Sequence, residues 1–237
     1  MAEIKHLLIL AKSIKHWPGV CIAGREVSNN GKQYKLGSWI RPIGSRPGAE
    51  LYPEEILLED GKELEVLDFV EVRLSRQIRD ELQPENWLIS TDRPWRRMNE
   101  LFKKPRLASI IDQPIGIWLD RGDRTDRIAD RSLRRYPPDH SLYFIHVPQV
   151  IALFEVDRRD GHYRKRHRAT FIYGGTQYTL NITDPLFNQK YKDRFPGDDR
   201  PPCSFVVKPS GGCYLCISLT PEWNGYHYKV VATILEA

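Results

Sequence analysis

Arg158, Arg159, His162, Arg164, Lys165, Arg166, His167 and Arg168 fall within eleven consecutive positions that contain a single acid, Asp160. Guanidinium groups offer planar, bidentate hydrogen bonds to phosphate and stack on bases, so this density predicts contact with a polyanion, nucleic acid first among them. Tyr163, inside the cluster, and Tyr173, Tyr178 and Trp223, nearby in sequence or in hairpins, supply rings for stacking, the alternative for aromatics on strands being the core. The cluster is expected as a cationic loop between two strands that reaches into the second of them, and the bland alternative is a strand edge kept soluble by charge. A second group, Arg121, Arg124, Arg127, Arg131, Arg134 and Arg135, is interleaved with Asp120, Asp123, Asp126 and Asp130. It either follows a phosphate backbone or neutralises itself through i,i+4 pairs such as Asp123 with Arg127 and Asp130 with Arg134. The expected contact set is Arg158, Arg159, Arg164, Lys165, Arg166, Arg168 and Tyr163, helped by Arg124, Arg127 and Arg131.

The chain's formal net charge is +5, and between Arg121 and Arg168 twelve Lys/Arg stand against seven Asp/Glu. That one stretch therefore carries the whole excess, which is why phosphate recognition is sought there and not elsewhere.

Other polar constellations read differently. Cys213-Tyr-Leu-Cys216, with Cys203 and His227, invites a zinc reading, but i and i+3 on a strand face opposite sides and would not converge on one ion. His162 and His167 lack a second ligand pair. No metal and no cofactor is expected. Asp184 with Asn181, Thr183 and Lys190, joined by Glu85, Asn86 and Lys229, could form an acid-base site. Thr183-Asp184-Pro185 equally suits an Asx-type strand terminator, and Lys229 is expected to alternate outward between Tyr228 and Val230. There is no phosphate-binding glycine-lysine loop, dinucleotide glycine fingerprint, Gly-x-Ser-x-Gly elbow or zinc-protease helix, and the reading leans away from an enzyme.

The elements that must position these groups are mostly strands. Leu7 to Ala11, Gly19 to Val27 and Tyr34 to Ile43 predict a meander, and Val66 to Leu74 alternates apolar residues with Glu71 and Arg73 as a half-buried strand does. Trp87 to Ile89 is a short strand, and Pro94 to Lys104, stopped by Pro105, is the best short helix. After the break at Tyr136-Pro-Pro-Asp139 come Ser141 to Val147 and Val150 to Val156. Ala169 to Tyr173 and Thr176 to Ile182 follow as a hairpin about Gly174-Gly175, whose two glycines suit a turn with positive φ; Tyr173 and Tyr178 flank it. Cys213 to Leu219 and Tyr226 to Leu235 end the chain. Short strands without βαβ alternation predict one or two small barrels or sandwiches, with halves at 1–138 and 139–237.

The 41% hydrophobic and 28% charged composition is that of a folded globular chain. The apolar run at Leu7 is too short for a membrane span, and four scattered cysteines suggest reduced thiols in a cytoplasm.

Four stretches resemble a bacterial family of uncharacterised proteins carrying a dual-OB domain. They are Ile22-Ala-Gly24 with Gly37-Ser-Trp-Ile-Arg-Pro42; Gln83-Pro-Glu-Asn-Trp-Leu-Ile89; Tyr178 to Pro185; and Leu215-Cys-Ile-Ser-Leu219 with Gly225-Tyr-His-Tyr-Lys-Val-Val-Ala232. The resemblance implies a mainly β fold of two small OB-like barrels packed together with little helix. By analogy it implies non-enzymatic binding of nucleic acid, DNA or RNA, in a bacterial defence or genome-maintenance setting. The alternatives are an enzyme or sensor acting on a nucleotide or nucleic acid in a cleft between the halves, and an adaptor for an acidic protein partner.

Overall fold

The computed structural model describes residues 2–16, 18–29, 34–102, 105–118, 125–159, 162–194 and 202–237, with the backbone alone described for 15, 16, 29, 157–159 and 162–164. The chain falls into two units, Met1–Ile110 with Pro137–Ser141, and Ile111–Tyr136 with Leu142–Ala237.

The first unit holds β1 (Glu3–His16), β2 (Gly19–Asn29), β3 (Tyr34–Ile43), β4 (Phe69–Gln77), β5 (Asn86–Ile89) and β6 (Arg96–Arg97). The apolar run of β1 is buried throughout, because that strand pairs with β2 along one edge and with β4 along the other. The ring runs β1-β2-β3-β5-β4 and returns to β1, a closed five-stranded barrel. Its one parallel joint is β3 with β5, Arg41 opposite Asn86 and Ile43 opposite Leu88. Leu7, Ile9, Ile22, Ile40, Val70, Val72, Leu74, Ile89 and Trp95 fill the interior. Each buried aliphatic contributes roughly 1.5–3 kcal/mol, so the β4 alternation seen in the sequence is enough to orient that strand. Closure needs a bend, and β1 supplies it through a register shift between Ile9 and Ala11, beside Gly24. A Cβ at Gly24 would run into the Leu8 carbonyl oxygen.

Among the described residues of Pro94 to Lys104 the expected helix does not form. Trp95 is buried, Arg96 and Arg97 pair with β4, and a 3-10 turn covers Asn99–Leu101. The segment is held extended by distant partners. Arg97 reaches Asp60 at 2.6 Å and Asp68 at 3.0 Å, and the Asn99 side chain accepts from the Phe69 N–H at 2.7 Å. Tertiary bonds of this kind override a weak local helical preference.

The second unit holds β7 (Arg127–Ala129), α1 (Asp130–Arg135), β8 (Leu142–Val147), β9 (Val150–Arg159), β10 (His162–Tyr173), β11 (Thr176–Ile182), α2 (Pro185–Lys190), β12 (Cys203–Val207), β13 (Cys213–Leu219) and β14 (Tyr226–Glu236). The sheet runs β12-β9-β10-β11-β14-β13-β8, with β7 beside β14. Two of its strands are each broken once. β8 and β9 are separated only by Pro148 and Gln149, and Pro148 has no N–H to give a ladder. Across from that break residues 208–212 separate β12, which pairs with β9, from β13, which pairs with β8. Taken as one strand each, β8/β9 and β12/β13 restore the first unit's order, and β11 with β14 is again the parallel joint. Gly212 lies in the interruption at φ +77°, where a Cβ would meet the His146 ring.

The Gly174-Gly175 hairpin forms as the sequence predicts, both glycines at positive φ (56° and 76°) and Tyr173 opposite Thr176. The barrel interior takes Phe154, Ala169, Phe171, Tyr178, Leu180, Leu215 and Val231. No helix among the described residues is long and apolar enough to cross a membrane.

Gly24→Ala is expected to lower stability by ~1–3 kcal/mol through forced displacement of β1. A shift of the urea midpoint with unchanged slope would show it, and wild-type stability would mean that the β1–β2 approach is not fixed there.

Candidate nucleic-acid interface

Alternation along β10 decides where its cations go. Ala169 and Phe171 point into the barrel, so Arg166, Arg168, Thr170 and Ile172 share the outer face. Register carries this face sideways, since partners directly opposite share a side. Arg168 lies between Leu153 of β9 and Asn181 of β11, and Asn181 is opposite Val230 of β14. Two residues earlier on β14, Tyr228 is opposite Arg127 of β7. Arg168, Asn181, Val230, Tyr228 and Arg127 thus form a row on one outer face, running from β10 to β14 and back to β7, which pairs with the same edge of β14 as β11 does, on strands spaced about 4.8 Å apart. Beside it the Thr170 and Thr179 hydroxyls are 2.9 Å apart. Ile172 is 62% exposed, and Gln177 and Asn181 are exposed too, so the face is open.

Arg127 joins this row to a group of rings. Its guanidinium lies 4.3 Å from the Tyr226 ring centre and 5.8 Å from that of Tyr228, the geometry of cation–π attraction. Its Nε is buried without a hydrogen-bond acceptor, and so is the Nε of Arg168. Trp223 stands 5.9 Å from Tyr228, centre to centre, and is 63% exposed. Trp223 and Tyr226 close the β13–β14 turn with reciprocal backbone bonds of 2.8 and 3.2 Å around Asn224 and Gly225, both at positive φ. Asn-Gly between two strands is a strong sequence signal for this turn, and it would have located Trp223 at a hairpin tip.

The strand carrying Arg127 is fastened by β14 and α1. The Lys229 N–H donates to the Asp126 carbonyl, and the Asp130 N–H donates to Gly225. The His227 ring spans the Thr220 carbonyl at 2.9 Å and Asp130 Oδ1 at 3.1 Å, while Arg134 takes the other Asp130 oxygen at 2.7 Å. Hydrogen bonds from Arg134 and then His227 hold the Asp130 carboxyl below its ordinary range. The Asp130–Arg134 pair is one of the two i,i+4 pairs that the self-neutralising reading of the second group allows.

The expected contact residues divide among several places. The first cluster is largely strand and not loop, because the chain stays paired as far as Arg159 opposite His162, Arg158 opposite Tyr163 and Arg164 opposite Asp157. The side chains of Arg158, Arg159, Tyr163 and Arg164 lie outside the described residues, as do Arg121, Asp123 and Arg124 altogether. Arg166 and Arg168 share the outer face, with Glu155 directly across from Arg166. Lys165 has the opposite parity, in step with His167, whose ring packs edge-on against Phe154 and meets Asn188 of α2. Burial pushes His167 below the ordinary histidine range. Arg131 is exposed on α1.

The two hairpin tyrosines are placed differently, Tyr178 buried and Tyr173 half-buried. Tyr178 is a core residue whose hydroxyl accepts from the Ile117 N–H, and the Tyr173 hydroxyl donates to the Pro114 carbonyl. Lys229, expected outward, is 1% exposed with Nζ 5.5 Å from the centre of the Tyr178 ring. Its tyrosine neighbours take the outer face, and alternation sends Lys229 in.

The remaining polar candidates are structural. Asp184 caps α2, accepting from the Leu186 and Phe187 N–H groups at 2.8 and 3.1 Å, and its other oxygen accepts from Ile234 of β14 at 2.8 Å. Burial raises this carboxyl's pKa and the three N–H groups oppose the rise. Glu85 lies 3.3 Å from Arg41 and accepts from the N–H and hydroxyl of Ser141 in the first unit. Burial pushes the Cys213 thiol up to about 11. Among the described residues no group of three His, Cys, Asp or Glu side chains could hold a metal ion.

The family described as the dual OB-containing domain matches residues 5–234. No curated protein matches the chain.

Asp184→Ala removes a helix cap and strands the Ile234 N–H, and is expected to cost about 2–4 kcal/mol. Thermal or urea unfolding measures it; a loss below roughly 1 kcal/mol would contradict the structural role given to Asp184.

Proposed function

Since the chain belongs to the dual OB-containing domain family, we propose that it is a nucleic-acid-binding module whose contact surface is the outer face of β10, β11 and β14 in the second unit. The observation that carries the reading is the row from Arg168 to Arg127. It places arginines, amide and hydroxyl groups and aromatic rings on the strand-2 and strand-3 face and the strand-4/5 turn, where barrels of this order take oligonucleotides. Arginine neutralises phosphate and releases counterions, and the rings accept bases.

Within the row Arg168 matters more than Arg166. Glu155 faces Arg166 across the strand pair and offsets its charge, whereas Arg168 has Leu153 and Asn181 as opposite neighbours.

Fluorescence anisotropy of a labelled oligonucleotide across a salt series is the test. Log affinity is expected to fall linearly with log salt, and Arg168→Gln to lessen that slope by about 0.7–0.9, one phosphate contact. Glu155→Gln is expected to tighten binding by about 1.4- to 5-fold, the effect of removing one partly exposed opposing charge. Absence of binding to single-stranded DNA, duplex DNA and RNA at low salt would overturn the proposal.

A further inference from the structure

Because the two units share a strand order, their strand-2 and strand-3 faces can be compared directly. In the first unit the outer row of β2 and β3 is Ala23, Arg25, Trp39 and Arg41, with Arg25 opposite Trp39. Trp39 is 4% exposed and lies beneath the Arg25 guanidinium, 5.5 Å from its ring centre, while Arg25 Nε donates to the Gly37 carbonyl at 2.7 Å. Arg41 is 8% exposed and is engaged by the Ser141 hydroxyl at 2.8 Å and by Glu85. Arg25 and Arg41 are thus engaged by groups of the first unit itself.

The second unit differs in exposure, although Arg168 donates to the Thr179 carbonyl at 3.3 Å. Its outer row is open at Ile172, Gln177 and Asn181, and its ring at the strand-4/5 turn, Trp223, faces solvent. The stacking surface of an exposed indole is useful to a base only if the base is unstacked, and in a duplex the base faces are covered by their neighbours. Duplex sequence is instead read by inserting a helix or ribbon into a groove.

We infer that the ligand is a single strand, held by the second unit alone with Trp223 stacking on a base. This rests on the nucleic-acid reading above and narrows it. One barrel covers about 4–16 nucleotides, so affinity should stop rising within that length; two engaged barrels would need roughly twice as much strand.

The full chain would be titrated with labelled oligothymidylates of about 4 to 40 nucleotides and with a hairpin duplex, alongside Trp223→Ala and the first-unit variant Arg76→Gln/Arg79→Gln, which removes two exposed arginines near the end of β4 and between β4 and β5. Expected results are a plateau by about 16 nucleotides and a loss of about 5- to 100-fold for single strands in Trp223→Ala with the salt slope unchanged. The first-unit variant should bind within about twofold of wild type. Circular dichroism establishes that each variant is folded. Equal affinity for duplex with Trp223→Ala silent would overturn the single-strand assignment, and a continued rise past one barrel's length, or weakened binding in the first-unit variant, would overturn the one-unit assignment. Both outcomes leave nucleic-acid binding standing. Failure to bind any probe removes that reading and this inference together.

Discussion

The carboxylate of Asp184 holds the joint on which the second unit's outer face depends. Two of its N–H partners begin α2 and the third is Ile234, fifty residues away on β14. The parallel joint it secures is short, with Asn181 and Ile182 opposite Val230 and Val231, and one further bond from the Thr183 N–H to the Val231 carbonyl at 2.9 Å. A parallel pair cannot be made by a hairpin, so such a joint needs fastening from outside the ladder. With it in place, a cation on β10 and an arginine clamped by tyrosines on β14 share one face; without it they belong to separate parts of the chain.

The first unit meets the same demand with different chemistry. Its β3–β5 joint is fastened by the Arg41 N–H to the Glu85 carbonyl at 2.8 Å and by the Arg41, Glu85 and Ser141 side chains. A buried ion pair of this kind stabilises little against an apolar alternative but is costly to break, so it fixes an arrangement more than it deepens it. It also consumes the outer-face arginine. Where the second unit uses a carboxylate at the end of its strand and leaves the face free, the first uses the face itself. Two barrels of one strand order are thereby left with unequal surfaces.

Local chemistry in the sequence was legible and long-range chemistry was not. Alternation identified β4, and two glycines identified the β10–β11 turn with its register, because period-two burial and positive φ are properties of adjacent residues. Asp184 reads as a strand terminator, yet its bond to Ile234 has no local sign. The stretch from Pro94 looked helical until Asp60, Asp68 and Phe69 fixed it in extended form. Lys229 was misplaced because tyrosines beside it suggested an apolar side, when on this strand they occupy the open one. The cationic cluster reads in the sequence as a unit, and strand alternation divides it, setting Arg166 and Arg168 apart from Lys165. The Asn224-Gly225 turn was present in the sequence and would have set Trp223 at a tip.

Backbone amide hydrogen exchange with and without a saturating single-stranded oligonucleotide tests the central claim most directly, because it reads both barrels in the same experiment. Slowed exchange in β10, β11 and the segment Trp223 to Tyr228, with β2 and β3 unchanged, is the predicted result. Protection centred on β2 and β3, or equal on both barrels, would contradict it.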